Sequence, residues 1–255
     1  FHLADGLYRR AENAMRALHQ GFWLGWMRTS SLNEATRLYY AGSSKYQDTE
    51  YNSSGLKAWE SRLFDRHFAE CRTLLVGAVG GGREAVALAE RGLEVTAFEC
   101  SLELARSASK IATARGLAVE VMTVAPSEVP ELDATFDGIV VGLGGYMHIP
   151  GRTSRVRFLQ RLRQRVEPGA PLMLSFFTRN PDSRFFMWSR RVARGIRWIR
   201  FSREAVDLGD AVAGSFDHHF TKEQIASELA GGGFELVDYG EDPIGQAVAR
   251  AIPNE

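Results

Sequence analysis

LLVGAVGGGREAVALAERGLEVTAFE, residues 74–99, runs from a short apolar segment into glycines, then through a helical stretch to a second apolar segment and an acid. An apolar run of this length bounded by glycines reads as a buried strand, and the spacing over residues 84–91 reads as a helix. Glycines at such a strand-to-helix turn let the backbone approach a ligand and leave the helix N-terminus open to it. Glu99 stands 17 residues beyond Gly82, at the end of the second strand, where a carboxylate can accept both hydroxyls of a ribose. The unit points to a bound nucleoside, with Gly80, Gly82 and Glu99 as candidate contacts. Gly80-Gly81-Gly82-Arg83-Glu84-Ala85 also fits the dinucleotide pattern G-x-G-x-x-A, which keeps an NAD(P)-dependent oxidoreductase in view.

The alternation continues downstream. Residues 102–115 read as a helix closed by Gly116, 119–124 and 136–141 as strands, 153–166 as a helix stopped by Pro168-Gly169, and 171–177 as a strand. Strands alternating with helices imply βαβ units and a parallel, doubly wound α/β sheet. Residues 179–203 break the pattern with a basic amphipathic segment. A helix at 222–230, a glycine stop and two strands at 234–239 and 246–251 follow, the last two expected as an antiparallel hairpin on the sheet edge. Upstream, residues 1–70 are helical and aromatic, with residues 56–69 as one amphipathic helix, and are expected to form an N-terminal cap over a domain of residues 71–255 with a basic insert at about 179–215.

The chain has 255 residues, with 31 basic and 31 acidic side chains and 45 % hydrophobic residues. That composition excludes a disordered or fibrous protein, and two cysteines exclude a disulfide scaffold. No apolar stretch approaches the roughly 18 residues of a membrane span, so the chain reads as cytoplasmic. Charge is unevenly placed. Residues 152–203 carry 14 arginines against Glu167 and Asp182, whereas residues 204–255 carry 11 acids against Lys222 and Arg250. The basic stretch admits a cap over an anionic substrate, a solvated face, or an anionic membrane surface, in that order. Nucleic acid is disfavoured, because the rest of the chain is acidic and no recognised binding motif accompanies the arginines.

Taken together, residues 71–251 resemble the class I S-adenosylmethionine-dependent methyltransferases of the small-molecule type. The resemblance rests on the glycine loop at 76–82, on Glu99, on FDGIVVGLGGYMHIP (136–150), on EPGAPLMLSF (167–176) and on the late helix and strand within 220–237. It implies a Rossmann-like sheet of seven strands with the last antiparallel, S-adenosylmethionine as cofactor, and S-adenosylhomocysteine as product. It implies contacts from Gly77, Ala78, Gly80 and Gly82 in the loop, from Glu99 and Cys100 after the second strand, and from Gly142 and Leu143 after the fourth. This chain departs from the family in three places. Val76 replaces the acid that often opens the loop, and Ala78 replaces its first glycine, with Gly77 one place earlier. Ala125 replaces the adenine-binding aspartate, which passes adenine recognition to Pro126, to the neighbouring backbone or to the Ser127 hydroxyl.

The residues after the fourth strand, Gly142-Leu143-Gly144-Gly145-Tyr146-Met147-His148, are those that face the transferred methyl in such enzymes. They lack the Asn/Asp-Pro-Pro-aromatic tetrad of base-amine and glutamine-amide methylation. His148 is the first candidate base and Tyr146 an orienting group; His218 is a second candidate. Adjacent side chains on a strand point to opposite faces, so only one of His218 and His219 should enter a site, with Asp217 orienting an imidazole. No carboxylate or cysteine has ligand spacing around these histidines, so no metal is expected. Tyr39, Tyr46, Tyr51, Arg179 and His219 are candidate substrate contacts. The activity expected is O-methylation of a small molecule or modified peptide in bacterial secondary metabolism, the rivals being the oxidoreductase and a non-catalytic, partner-binding subunit.

Overall fold

The structure, a computed structural model, describes residues 2–253. Its centre is a sheet in which β3 (Val119–Thr123), β2 (Glu94–Glu99), β1 (Thr73–Gly77), β4 (Gly138–Val141) and β5 (Pro171–Thr178) run parallel in that spatial order. β9 (Gly245–Ala251) adds antiparallel to β5, and β8 (Phe234–Gly240) antiparallel to β9. These seven strands are the expected sheet, but the final hairpin is not wholly at its edge: β9 lies inside, between β5 and β8. Two further strands were not read from the sequence. β6 (Asp210–Ala213) and β7 (Ser215–Phe220) form a hairpin whose β7 pairs parallel with the C-terminal end of β5 through Phe177 and Thr178. They fall in the segment between the basic helix and the late helix, where the sequence lacks clean alternation.

Both faces of the sheet centre are covered, which is why β1, β4 and β5 are almost wholly apolar. Leu74 and Val76 of β1 face Trp59, Leu63 and Phe64 of α5 (Ala58–His67), while Leu75 faces the opposite core with Ile139, Phe158 and Leu172. The helices that follow the strands are closed by local chemistry. Ser101 accepts from the Leu104 amide at the start of α7 (Leu102–Ala114), and Thr221 and Gln224 form a capping box on α10 (Lys222–Gly231). α8 (Arg152–Arg163) is the crossover into β5.

The remaining helices precede or follow this sandwich. α1 (His2–Trp26) lies against α9 (Arg184–Ile199), the basic amphipathic segment. α2 (Thr29–Ala41) packs on β7, and the short helices α3 (Ser44–Gln47) and α4 (Thr49–Asn52) lie against α6 (Arg83–Glu90) and α7. Those three helices cover the carboxyl ends of β1 to β4, the edge where open α/β sheets bind ligands. Among the described residues, no helix is long and apolar enough to cross a membrane.

Candidate active site

A cleft of about 1050 Å³, measured to its open mouth, lies at that edge. Its floor is made where the strands end: Ala78 after β1, Cys100 after β2, Ala125 after β3 and Leu143 after β4. Gly80 turns through φ +55°, and a Cβ built on it meets nothing within 4 Å, so its backbone faces open space. Glu99 reaches across from β2. One carboxylate oxygen accepts the Gly80 amide at 2.9 Å, and the other accepts the amides of Cys100 at 2.9 Å and Ser101 at 3.0 Å. The acid therefore fixes the glycine loop while keeping lone pairs for a ligand. Cys100 sits beside it, and burial next to that carboxylate pushes its thiol up to about 12, which keeps it protonated. Pro126 and Ser127 continue the wall, Ser127 in a left-handed conformation at φ +67°. Ala78 is left-handed too, at φ +50°, as the glycine it replaces would be. Gly77, Gly82 and Gly142 lie behind the wall; Gly82, at φ +104°, allows α6 to start against Ala108 of α7.

The roof comes from residues 33–52. Thr36 and Tyr40 of α2, Tyr46 and Tyr51 line it, with Asn52 at its base. Asn52 is buried and donates to the carbonyls of Tyr46 at 3.0 Å and Asp48 at 2.9 Å. A Cβ on Gly81 would collide with the Tyr46 carbonyl and the Asn52 amide, so this glycine lets the roof close onto the loop. Below it, Arg83 is clamped by both oxygens of Glu60 and by Glu84, each at 2.6 Å. Glu84 also accepts the Leu143 amide at 2.9 Å; burial holds its carboxyl above the ordinary range against the pull of Arg83. Arg83 and Glu84 both touch the cleft, and no strand or helix pattern singles them out.

His148 closes the cleft on the side of β4. Its Nδ1 lies 2.8 Å from the Phe216 carbonyl and 3.1 Å from Asp217. Both are acceptors, so Nδ1 carries the proton and Nε2 presents a lone pair. Nε2 accepts from the Tyr40 hydroxyl at 2.8 Å. Burial raises the Tyr40 phenol well above its usual range, so it stays a donor. Asp217 does orient an imidazole, but that of His148, 69 residues earlier, rather than its neighbours'.

Several expected residues lie elsewhere. Tyr146 is fully buried, stacked on Phe220, and donates to Glu228 at 2.7 Å; it is a core residue. His218 is also fully buried, its Nδ1 2.6 Å from Asp210. His219 is wedged between Phe177 and Phe186, and Arg179 binds Gln224. Tyr39 is exposed, with its ring beside Gly214. The cleft wall includes none of these five, nor any arginine of α9. Arg197 instead donates to the Leu24 carbonyl and Arg190 to that of Val206, so α9 is bound to α1 and is no cap over a substrate. The metal argument also needs correction. Folding gathers Asp207, Asp210 and His218 with ligand atoms within 4.8 Å of one another. Arg155, however, already supplies a cation there, 3.1 Å from Asp207 and 2.8 Å from Glu228.

Residues 74–169 match the model of the methyltransferase domain family. Among solved structures, the chain is similar to an S-adenosylmethionine-dependent methyltransferase from Methanosarcina mazei, at 21 % identity over 78 % of this chain and 100 % of that one, with a TM-score of 0.59. A sugar N-methyltransferase from Streptoalloteichus sp. aligns at 16 % identity over 84 % and 92 % of the two chains, with a TM-score of 0.57. An amino pentose methyltransferase from Micromonospora echinaspora aligns at 16 % over 78 % and 94 %, with a TM-score of 0.56. No curated protein matches the sequence. The structural likenesses show the fold, and over residues 74–169 the domain match favours a methyltransferase and leaves the oxidoreductase reading without support.

Proposed function

We propose that this enzyme methylates an oxygen of a small molecule or modified peptide in bacterial secondary metabolism, with His148 as the base. The observation that carries the proposal is the line of contacts Tyr40–His148–Asp217, in which the Tyr40 hydroxyl sits on Nε2 of His148 at the cleft. The cleft residues fit S-adenosylmethionine. Glu99 has acceptor capacity for the ribose hydroxyls, Ala125, Pro126 and Ser127 would hold the adenine, and Ala78 with the open backbone of Gly80 would hold the amino-acid tail. Cys100 and Leu143 would complete the contacts along the wall. Natural-product neighbours such as the amino pentose enzyme from calicheamicin biosynthesis support the metabolic setting.

The cofactor supplies an electrophilic methyl group, so rate depends on in-line positioning and, for a hydroxyl acceptor, on removing its proton. His148 is held for that task. The Phe216 carbonyl fixes its tautomer, and Asp217 stabilises the imidazolium once Nε2 has taken the proton. The acceptor hydroxyl either replaces Tyr40 at Nε2 or passes its proton through the Tyr40 oxygen while the Tyr40 proton moves to Nε2. The test is incubation with labelled S-adenosylmethionine and matched phenol, carboxylate, sugar hydroxyl and amine acceptors, with products read by mass spectrometry. An O-methyl product that His148→Ala suppresses is expected. An N-methyl product alone would overturn the oxygen assignment.

A further inference from the structure

α1 and α9 run parallel and end together. Gly21 of α1 faces Ser189 and Val192 of α9, and Gly25 faces Ala193 and Ile196; a Cβ on Gly25 would lie 2.7 Å from both the Ala193 carbonyl and the Ile196 side chain. Small residues four apart on both helices permit this close approach, and buried Arg197 ties the pair by donating to the Leu24 carbonyl at 2.9 Å and 3.1 Å. Arg200 reaches the Trp26 carbonyl and lies 4.6 Å over the Trp26 ring.

The shared end carries large apolar side chains open to solvent. Trp198 is 80 % exposed, Ile199 68 % and Phe201 93 %, and Trp23 and Trp26 stand open beside them on α1. Phe201 occupies the position after the helix with φ +52°, where glycine is the usual residue. A large ring is held there in a disfavoured conformation and in water. Around this tip arginine predominates, and the one acid bonded there, Glu204, pairs with Arg197 and accepts the Thr29 amide. Residues 183–203 hold seven arginines and no acid; Arg191, Arg194 and Arg203 are exposed, as is Arg28 in the turn between α1 and α2. A two-fold contact with a second copy would set these arginines against each other, which is repulsive. Tryptophans ringed by arginines are instead the composition of an interfacial helix on negatively charged lipid.

We propose that the joined ends of α1 and α9 dock this enzyme on an anionic membrane surface. Trp23, Trp26, Trp198 and Phe201 enter the headgroup layer, and Arg191, Arg194 and Arg203 meet lipid phosphates. α2 begins at this tip and carries Thr36 and Tyr40 to the cleft, so docking sets the distance of the roof from the lipid. The inference rests on the surface alone and is independent of the acceptor.

Co-sedimentation with vesicles of phosphatidylcholine alone, and of phosphatidylcholine mixed with phosphatidylglycerol, tests it. The full chain should bind only the mixed vesicles, less as salt rises, with a blue shift of tryptophan fluorescence. Arg194→Gln and Arg203→Gln should each weaken partition about fivefold. The double change Trp198→Ser with Phe201→Ser should weaken it more than tenfold. Calorimetric binding of S-adenosylhomocysteine should be unchanged in all of them, which reports that they are folded. The proposal is overturned by no binding to the mixed vesicles, by equal binding to neutral ones, or by full binding of the double variant. A soluble dimer that this variant dissociates, with no vesicle binding, would also overturn it and assign the tip to a second copy.

Discussion

Of the histidines that lie against an aspartate, His148 and His218 differ sharply in their surroundings. His148 meets Asp217 at 3.1 Å with Nε2 on the Tyr40 hydroxyl at the cleft. His218 meets Asp210 at 2.6 Å with Nε2 buried and unpartnered. Beside the second pair, the Arg155 guanidinium binds Asp207 and Glu228 in a closed pocket. Burial, reinforced by Arg155, pushes the His218 imidazole well below its normal range. Burial and the nearby Asp207 push the Asp210 carboxyl up to about 7. The buried pair therefore holds one proton and joins β6 to β7, whereas His148 lines the cleft with Nε2 on the Tyr40 hydroxyl. Residue type is the same in both pairs; access and the neighbouring charge set the role.

The largest effect that would sharpen this contrast is kinetic. His148→Ala should lower kcat about 10²- to 10⁴-fold, close to 3–5 kcal/mol of barrier, with cofactor affinity retained. His218→Ala should act on stability and leave the pH profile of kcat in place. If kcat in His148→Ala is normal, the two histidines are equivalent structural groups and the contrast is broken.

Next comes the buried cluster. Arg155→Met leaves Glu228 and Asp207 without their cation, and removing one partner of a buried pair typically costs about 3–5 kcal/mol. A fall in Tm of about 6–20 °C should follow for a chain of this size. A change within experimental error would show that the cluster relaxes into water and is not closed.

Glu99→Ala should cost about 10- to 100-fold in S-adenosylhomocysteine affinity, measured by calorimetry, because it removes hydrogen bonds to ligand and glycine loop together. Unchanged affinity would mean that Glu99 serves the loop alone.

The smallest effect is the pH dependence of stability. Between about pH 4 and 6.5 the unfolded chain holds one proton on His218 and none on Asp210, and the folded pair also holds one, so their contribution is flat. Below about pH 4 the unfolded chain binds the second proton, which the folded pair resists, and stability falls with acid. Above pH 6.5 the unfolded chain loses its proton before the folded pair does, and stability declines toward about pH 7. Asp210→Asn, which keeps an acceptor for Nδ1, should remove the decline above pH 6.5. A Tm profile identical to the parent's would show that the pair does not share a proton.

Part of the fold and of the candidate site was legible in sequence because it is written locally. The strand–glycine–helix–strand unit and the placement of Glu99 need only period, turn chemistry and spacing along one stretch of chain, and the same holds for the alternation through β5. The β6–β7 hairpin was not legible, since its four- and six-residue strands alternate weakly and are fixed by pairing with the end of β5. The same limit governs the site. Nothing near Tyr40 or Asp217 in sequence marks them as partners of His148, 108 residues and 69 residues away.

The sequence by itself determined the parallel sheet, the nucleoside-binding loop with its acid, and the presence of an unusually basic amphipathic helix. Only the tertiary structure decided which histidine faces the cleft, which arginine is buried, and that the basic helix lies along α1 instead of over the substrate. The reason is physical. Strands and glycine turns arise from interactions among near neighbours, but access to solvent and the charge beside a titratable group are set by residues that meet only when the chain has closed around them.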